Sequence, residues 1–267
     1  MLVGATWPRA APGENAAAIL RRNVTKAIAR PRAAKNVFSL ERRVTQPQFK
    51  GIDGLKLDLP QRMDGLQLLA AISENTIPLV FFDPQYRAIL DRQRYGNEGK
   101  NRGKLRAALP QMSASIIQDF IHAIERVLMP SGHLMLWVDK FIIGEGVSGL
   151  LGTSRLKVVD LITWNKDRMG MGYRTRRFGE HLVVLQKPPV RAKGVWRLHD
   201  IPDVWSERIH NGSRNHTHSK PIELQKRLIE AVTNAGDIVV DPAAGGYSVL
   251  AAAKAAGRHF LGCDLMG

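Results

Sequence analysis

Cysteine is almost missing from this sequence: Cys263 is the only one in 267 residues. A disulfide framework and a cysteine-built metal site are therefore excluded, and a reducing cytoplasm suits such a chain. Long apolar runs are missing as well. None approaches the roughly 18 residues needed to cross a bilayer, which excludes a membrane-spanning protein. His122 and His133 have no partners at metal-ligand spacing, so both read as structural and no metal is expected. Acid is scarce: 24 Asp and Glu face 39 Lys and Arg, a formal charge of +15. Such an excess is a bias toward polyanions, with nucleic acid the leading candidate.

What the sequence does have is a buried-strand signal that ends in a carboxylate. Leu79 to Phe82 is an uninterrupted apolar run, the pattern of a strand covered on both faces of a mainly parallel sheet. Asp83 follows, then Pro84, which ends the ladder because it has no N–H to donate. The run Asp83-Pro84-Gln85-Tyr86 thus places an acid, a rigid turn and an aromatic ring at the carboxyl end of a strand. In open α/β sheets ligands bind there.

Around it, strands and helices alternate at short intervals, the signature of a doubly wound, mostly parallel sheet. Asp64 caps a helical pattern, and Ser113 to Leu128 is a second, stopped at Met129-Pro130-Ser131-Gly132. His133 to Val138 and Leu156 to Trp164 read as strands, with a glycine-softened helix over Ile142 to Leu151 between them. Residues 188–217 lose periodicity. Later, His218-Ser219-Lys220-Pro221 opens a helix with Ser219 as its expected cap. The strand Asp237 to Val240, the turn Asp241-Pro242-Ala243-Ala244-Gly245, an alanine-rich helix and Phe260 to Asp264 then form a cofactor-binding β-α-β unit. An acid ending the second strand, as Asp264 does, is the expected ligand of a ribose hydroxyl.

Basic residues gather in three places. Residues 1–35 carry Arg21, Arg22, Lys26, Arg30, Arg32 and Lys35 against Glu14 and are broken by three prolines. A disordered extension, an arm on phosphates and a transit peptide all suit that composition; a poorly ordered basic extension is preferred, with the main domain over 36–267. Arg87, Arg92, Arg94, Lys100, Arg102, Lys104 and Arg106 follow the Asp-Pro turn and read as a loop that closes on a phosphate backbone. Arg174, Arg176 and Arg177 follow Tyr173 in a turn between two strand patterns and are further phosphate ligands.

Asp83-Pro84-Gln85-Tyr86 resembles the Asp-Pro-Pro-Tyr motif of the amino-group DNA methyltransferases, and Asp241-Pro242-x-x-Gly245 resembles their Asp-Pro-Phe-x-Gly-Ser-Gly donor motif. The Lys220-Pro221 helix start and the Trp164 to Lys187 block are similar to the family's as well. The catalytic motif precedes the donor motif, an order resembling the permuted β group, and the likeness runs from Asp64 onward. It implies a Rossmann-like fold and methyl transfer from S-adenosylmethionine to the exocyclic amine of a flipped base in duplex DNA. It further implies that Asp83 and the Pro84 carbonyl accept from the amine and that Tyr86 and Tyr173 hold the base. Lys220, Asp241, Ala243, Gly245 and Asp264 would surround the donor, with Asp64 at its adenine end. Residues 188–217 lie where the family reads its target, making Arg191, Lys193, Trp196 and Arg197 candidate DNA contacts.

Gln85, Ala243, Gly246 and Tyr247 depart from the family pattern. Adenine N6 is favoured because the motif begins with Asp, where cytosine-N4 enzymes more often show Ser. An RNA amino-methyltransferase and a degenerate, non-catalytic nucleic-acid binder remain the other readings. A bacterial or phage-encoded cytoplasmic protein, monomeric or homodimeric, is expected.

Overall fold

A computed structural model of the chain describes residues 54–85, 112–170, 174–208 and 220–266. Among these residues, seven strands form one sheet in the order β5-β3-β4-β2-β1-β6-β7. They span Ile77–Phe82 (β1), Leu128–Val138 (β2), Lys157–Gly170 (β3), Arg177–Gln186 (β4), Val204–Ser206 (β5), Ile238–Asp241 (β6) and His259–Gly262 (β7). Among the described residues the helices are Gly65–Ala71 (α1), Ala114–Val127 (α2), Lys140–Glu145 (α3), Ser148–Leu151 (α4), Ile222–Val232 (α5) and Ser248–Ala255 (α6). Every pairing is parallel except those of β4, which runs against both β2 and β3.

All six residues of β1 are buried, as a strand with covers on both faces requires. Its side chains divide by the two-residue period of a strand. Val80 and Phe82 join the core beneath α1 and α2, while Leu79 and Phe81 join the core shared with α5 and α6; Ile77, across the register shift before Leu79, falls on the Val80 side. Phe82 stacks on Phe120 of α2 at 5.0 Å, and Trp137 meets Trp164 edge-on at 6.0 Å. His133 lies within this sheet, where burial pushes its imidazole down to about 3 and keeps it neutral.

Three local expectations are revised. Met129 to Gly132 does not separate a helix from a later strand. β2 begins at Leu128, and the four residues form a bulge between the pairs Ile77–Leu128 and Leu79–His133. The helix expected over Ile142 to Leu151 is two short ones, because Gly146 (φ 94) terminates α3 and the chain restarts at Ser148. Helix α5 has Pro221 in the cap position with no side-chain cap of its own; Ser219 lies outside the described residues. Its N-terminal amides are satisfied from elsewhere: Glu207 accepts from Glu223 N and Leu224 N, both at 3.1 Å.

The aperiodic segment after β4 is largely exposed and touches the core through Trp196, Leu198, Ile201 and Trp205. Its strand β5 adds to the edge of β3. Trp196 lies edge-on to His133 at 5.7 Å. Arg197 donates to Thr233 O at 2.6 Å and Asn234 Oδ1 at 2.7 Å, capping the carbonyl end of α5. Both were candidate DNA contacts from sequence; each has a partner within the fold, and Arg197 stays exposed. Arg191 spends its Nε on Lys193 O at 2.9 Å.

Candidate active site

The parallel pairing of β1 with β6 puts the carboxyl ends of two acid-tipped strands next to each other. Asp83 follows Phe82 directly and Asp241 closes β6. Pro84 is buried, and Gln85 O accepts from Met112 N at 3.0 Å. The residues flanking 86–111 are therefore joined beside Asp83. Tyr86, Arg87, Arg94, Lys100, Arg102, Lys104 and Tyr173 themselves lie outside the described residues. Arg174 and Arg176 are exposed.

Lys220, just ahead of α5, reaches across to Asp83. Its Nζ is 3.0 Å from Asp83 Oδ2 and 2.9 Å from Glu180 Oε2, and lies 4.8 Å over the Trp137 ring. Glu180 is held on its other oxygen by Lys166, which lies over Trp164. The result is a chain of alternating charge, Lys166–Glu180–Lys220–Asp83. Burial disfavours charge on Lys220, but Asp83 and Glu180 outweigh it and hold the ammonium above its usual range. Burial also works against charge on Glu180, yet Lys220 and Lys166 prevail and hold its carboxyl down to about 2.

Glu180 and Lys166 were not singled out as site residues from sequence. An acid standing immediately before a buried apolar strand was the available signal. Its significance depends on the reversal of β4, which carries the start of that strand to the edge where β1 and β2 end. His181 pairs with Val138, and Glu180 pairs with Trp164.

On the β6–β7 side, three carboxylates gather. Asp64 caps α1, its Oδ1 accepting from Leu66 N at 2.8 Å and Gln67 N at 3.2 Å. Asp264 is set by backbone bonds with residues 61–63: its N–H donates to Gln61 O at 3.0 Å, and its carbonyl accepts from Met63 N at 3.2 Å. Asp241 Oδ1 accepts from Ala243 N at 3.1 Å. Burial pushes the Asp241 carboxyl up to about 8, with Asp83 and Asp264 acting in the same sense and Lys220 against it. Burial likewise pushes the Cys263 thiol up to about 12, with Asp241, Asp64 and Asp264 all adding to the rise.

The turn after Asp241 needs left-handed backbone at Gly245 (φ 48) and at Tyr247 (φ 54). Glycine accepts this freely, whereas tyrosine does so under strain. Tyr247 is fixed by its surroundings. Its hydroxyl donates to Gln61 O at 3.1 Å and accepts from Gln61 N at 3.2 Å, and its ring meets Phe260 edge-on at 6.2 Å. A Cβ added at Gly245 would meet nothing within 4 Å, so this turn borders open space.

A mostly parallel sheet with acids closing adjacent central strands and a glycine turn between β6 and α6 is a Rossmann-like arrangement with its ligand edge at those acids. Residues 77–266 match the N6/N4 methyltransferase family, described as DNA methylase. The type II methyltransferase M.HhaII of Haemophilus parahaemolyticus is 57% identical over 206 residues, covering 77% of this chain and 90% of that protein. Two solved structures share the fold. A putative DNA modification methylase of Thermus thermophilus, complexed with S-adenosyl-L-methionine, gives a TM-score of 0.53 at 20% identity over 77% of this chain and 88% of its own. The PvuII DNA methyltransferase, cytosine-N4-specific, gives 0.59 at 14% identity over 77% and 81%. The chain belongs to the N6/N4 DNA methylase family. It is a DNA methyltransferase, with S-adenosylmethionine as methyl donor and DNA as substrate.

Proposed function

We propose that the protein methylates adenine N6 in duplex DNA, with Asp83 as the acceptor that activates the amine. The observation that carries this reading is the position of Asp83 at the end of β1, beside the Asp241 turn that follows the neighbouring strand. An exocyclic amine is a poor nucleophile because its lone pair is delocalised into the ring. Asp83 accepts one of its N–H groups and the Pro84 carbonyl accepts the other, favouring a tetrahedral nitrogen and stabilising the positive charge that develops there. The target leaves the stack, and Tyr86 and Tyr173 hold it by stacking.

S-adenosylmethionine, when bound, supplies the electrophilic methyl group. The residues present fit it: the Asp64, Asp241 and Asp264 carboxylates surround one buried thiol, and Gly245 borders open space. Asp264 takes the ribose hydroxyls, the free oxygen of the Asp64 cap faces the adenine end, and the Ala243 and Gly245 backbone lines the turn. Lys220 stands at the junction of the donor and the amine.

Arg87, Arg94, Lys100, Arg102 and Lys104 belong to the segment between Gln85 and Met112, whose backbones bond beside Asp83, and this supports a role for them near the site. With Arg174 and Arg176 they hold phosphates and position the duplex without reading it. Among the described residues, no helix is long and apolar enough to cross a membrane. The similarity to a methyltransferase of Haemophilus parahaemolyticus supports a bacterial cytoplasm as the setting.

The test is incubation with S-adenosylmethionine and unmethylated genomic DNA, digestion to nucleosides and mass spectrometry. N6-methyladenine from the wild type and none from Asp83→Ala is the expected result. N4-methylcytosine would overturn the choice of base and keep the role of Asp83, whereas product from Asp83→Ala would overturn that role.

A further inference from the structure

The fourfold chain Lys166–Glu180–Lys220–Asp83 poses a chemical problem. An acid that must accept from a weakly acidic amine is already engaged by an ammonium 3.0 Å away. Among the described residues, no other partner of the Asp83 carboxylate is present. A carboxylate engaged by a full positive charge is a poorer acceptor toward a neutral N–H, so Lys220 left on Asp83 would oppose the activation that Asp83 performs.

We propose that Glu180 is a positioning residue for methyl transfer: it is the second acceptor that takes Lys220 when Asp83 turns to the base amine. The proposal rests on the assignment of Asp83 made above. Glu180 Oε2 is 2.9 Å from the same Nζ, so the ammonium stands between two carboxylates at nearly equal range and moves from one to the other with little reorganisation. The face of Trp137, 4.8 Å from Nζ, gives the charge a surface to pass over. Lys166 fixes Glu180 from its far oxygen, so Glu180 does not itself follow Lys220 toward Asp83. Glu180 remains ionised throughout, as its depressed carboxyl shows.

Methyl-transfer kinetics with DNA and S-adenosylmethionine each varied up to saturation test the idea. Glu180→Gln is expected to lower kcat by about ten- to a hundredfold, the scale of one charge-assisted hydrogen bond. KM for either substrate should change less than about threefold, with the thermal midpoint near that of the wild type. Lys220→Met combined with Glu180→Gln should be no slower than Lys220→Met alone, because Glu180 acts through that ammonium. Wild-type kcat in Glu180→Gln, or additive losses in the double variant, would overturn the proposal. If Glu180→Gln fails to fold, Lys166→Met reports instead: it frees Glu180 and should lower kcat by a smaller factor, and an unchanged kcat there overturns the proposal too. Asp83→Ala separates the two assignments. Turnover retained in Asp83→Ala faults Asp83 itself, whereas turnover lost there with full kcat in Glu180→Gln faults Glu180 alone.

Discussion

Gly65, the first residue of α1, lies directly against the carbonyl of Pro242: a Cβ added at Gly65 would sit 2.1 Å from Pro242 O and 2.7 Å from the Phe120 ring. The helix that bears Asp64 and the turn that bears Asp241 are thus in van der Waals contact only because this residue has no side chain. Gly65→Ala should force the two apart, with a stability loss of about 1–3 kcal/mol, the usual range for overpacking. The donor dissociation constant should rise as well, since both acids move. Urea denaturation and a donor titration would check this; a variant with wild-type values in both would show that α1 adjusts freely.

Asp241 gives the protein a pH dependence of definite sign. Burial pushes its folded carboxyl up to about 8, far above an ordinary aspartate near ~3.9. Between those two values the folded state binds the extra proton. The resulting stability is complete below the unfolded value and lost as pH rises through about 8. The thermal midpoint of the donor-free protein should therefore fall between about pH 5 and pH 8. Asp241→Asn should flatten that slope. A midpoint that rises with pH over the same range, in the wild type alone, would contradict it.

Glu207 stabilises α5 from outside the helix. Its carboxylate accepts from Glu223 N, Leu224 N and the Trp205 indole. Glu207→Ala should cost about 1–2 kcal/mol, as loss of an N-terminal cap does. Because Lys220 immediately precedes this helix, kcat should fall with stability. Chemical denaturation and turnover measured on the same preparation would test both.

The basic extension invites a separate experiment. Removal of residues 1–35 should weaken DNA binding and make the fall of log affinity with log salt shallower, by about one unit of slope for each phosphate that the extension neutralises. Binding isotherms across a salt series would measure this. An identical slope would show that the extension does not touch phosphates.

Legibility in the sequence followed the range of the interaction. β1 announced itself because it is covered on both faces and needs no alternation, and all six of its residues are buried. The β6–α6–β7 unit was equally plain, since turn, helix and terminal acid are neighbours along the chain. The Asp64 cap needed only its own first turn. By contrast, Lys166 meets Glu180, and Glu180 meets Lys220, only after β4 doubles back, and no local spacing encodes those meetings. Arg197 and Trp196 looked like free basic and aromatic contacts because the carbonyls of α5 and the His133 ring that receive them lie far away in the chain. The split at Gly146 was foreshadowed by glycine content but not by hydrophobic period, which ran through it.

The central pairing of β1 with β6, in which Leu79 lies beside Val239, has a consequence for how the molecule is made. During synthesis β1 emerges before every other described strand, and β6, its partner on one side, follows only after β2 to β5. Until β6 arrives, β1 carries an open hydrogen-bonding edge, the kind of surface that recruits wrong partners. Ribosome-bound intermediates of this enzyme should thus be the stage at which chaperones engage it and at which overproduction drives it into aggregates.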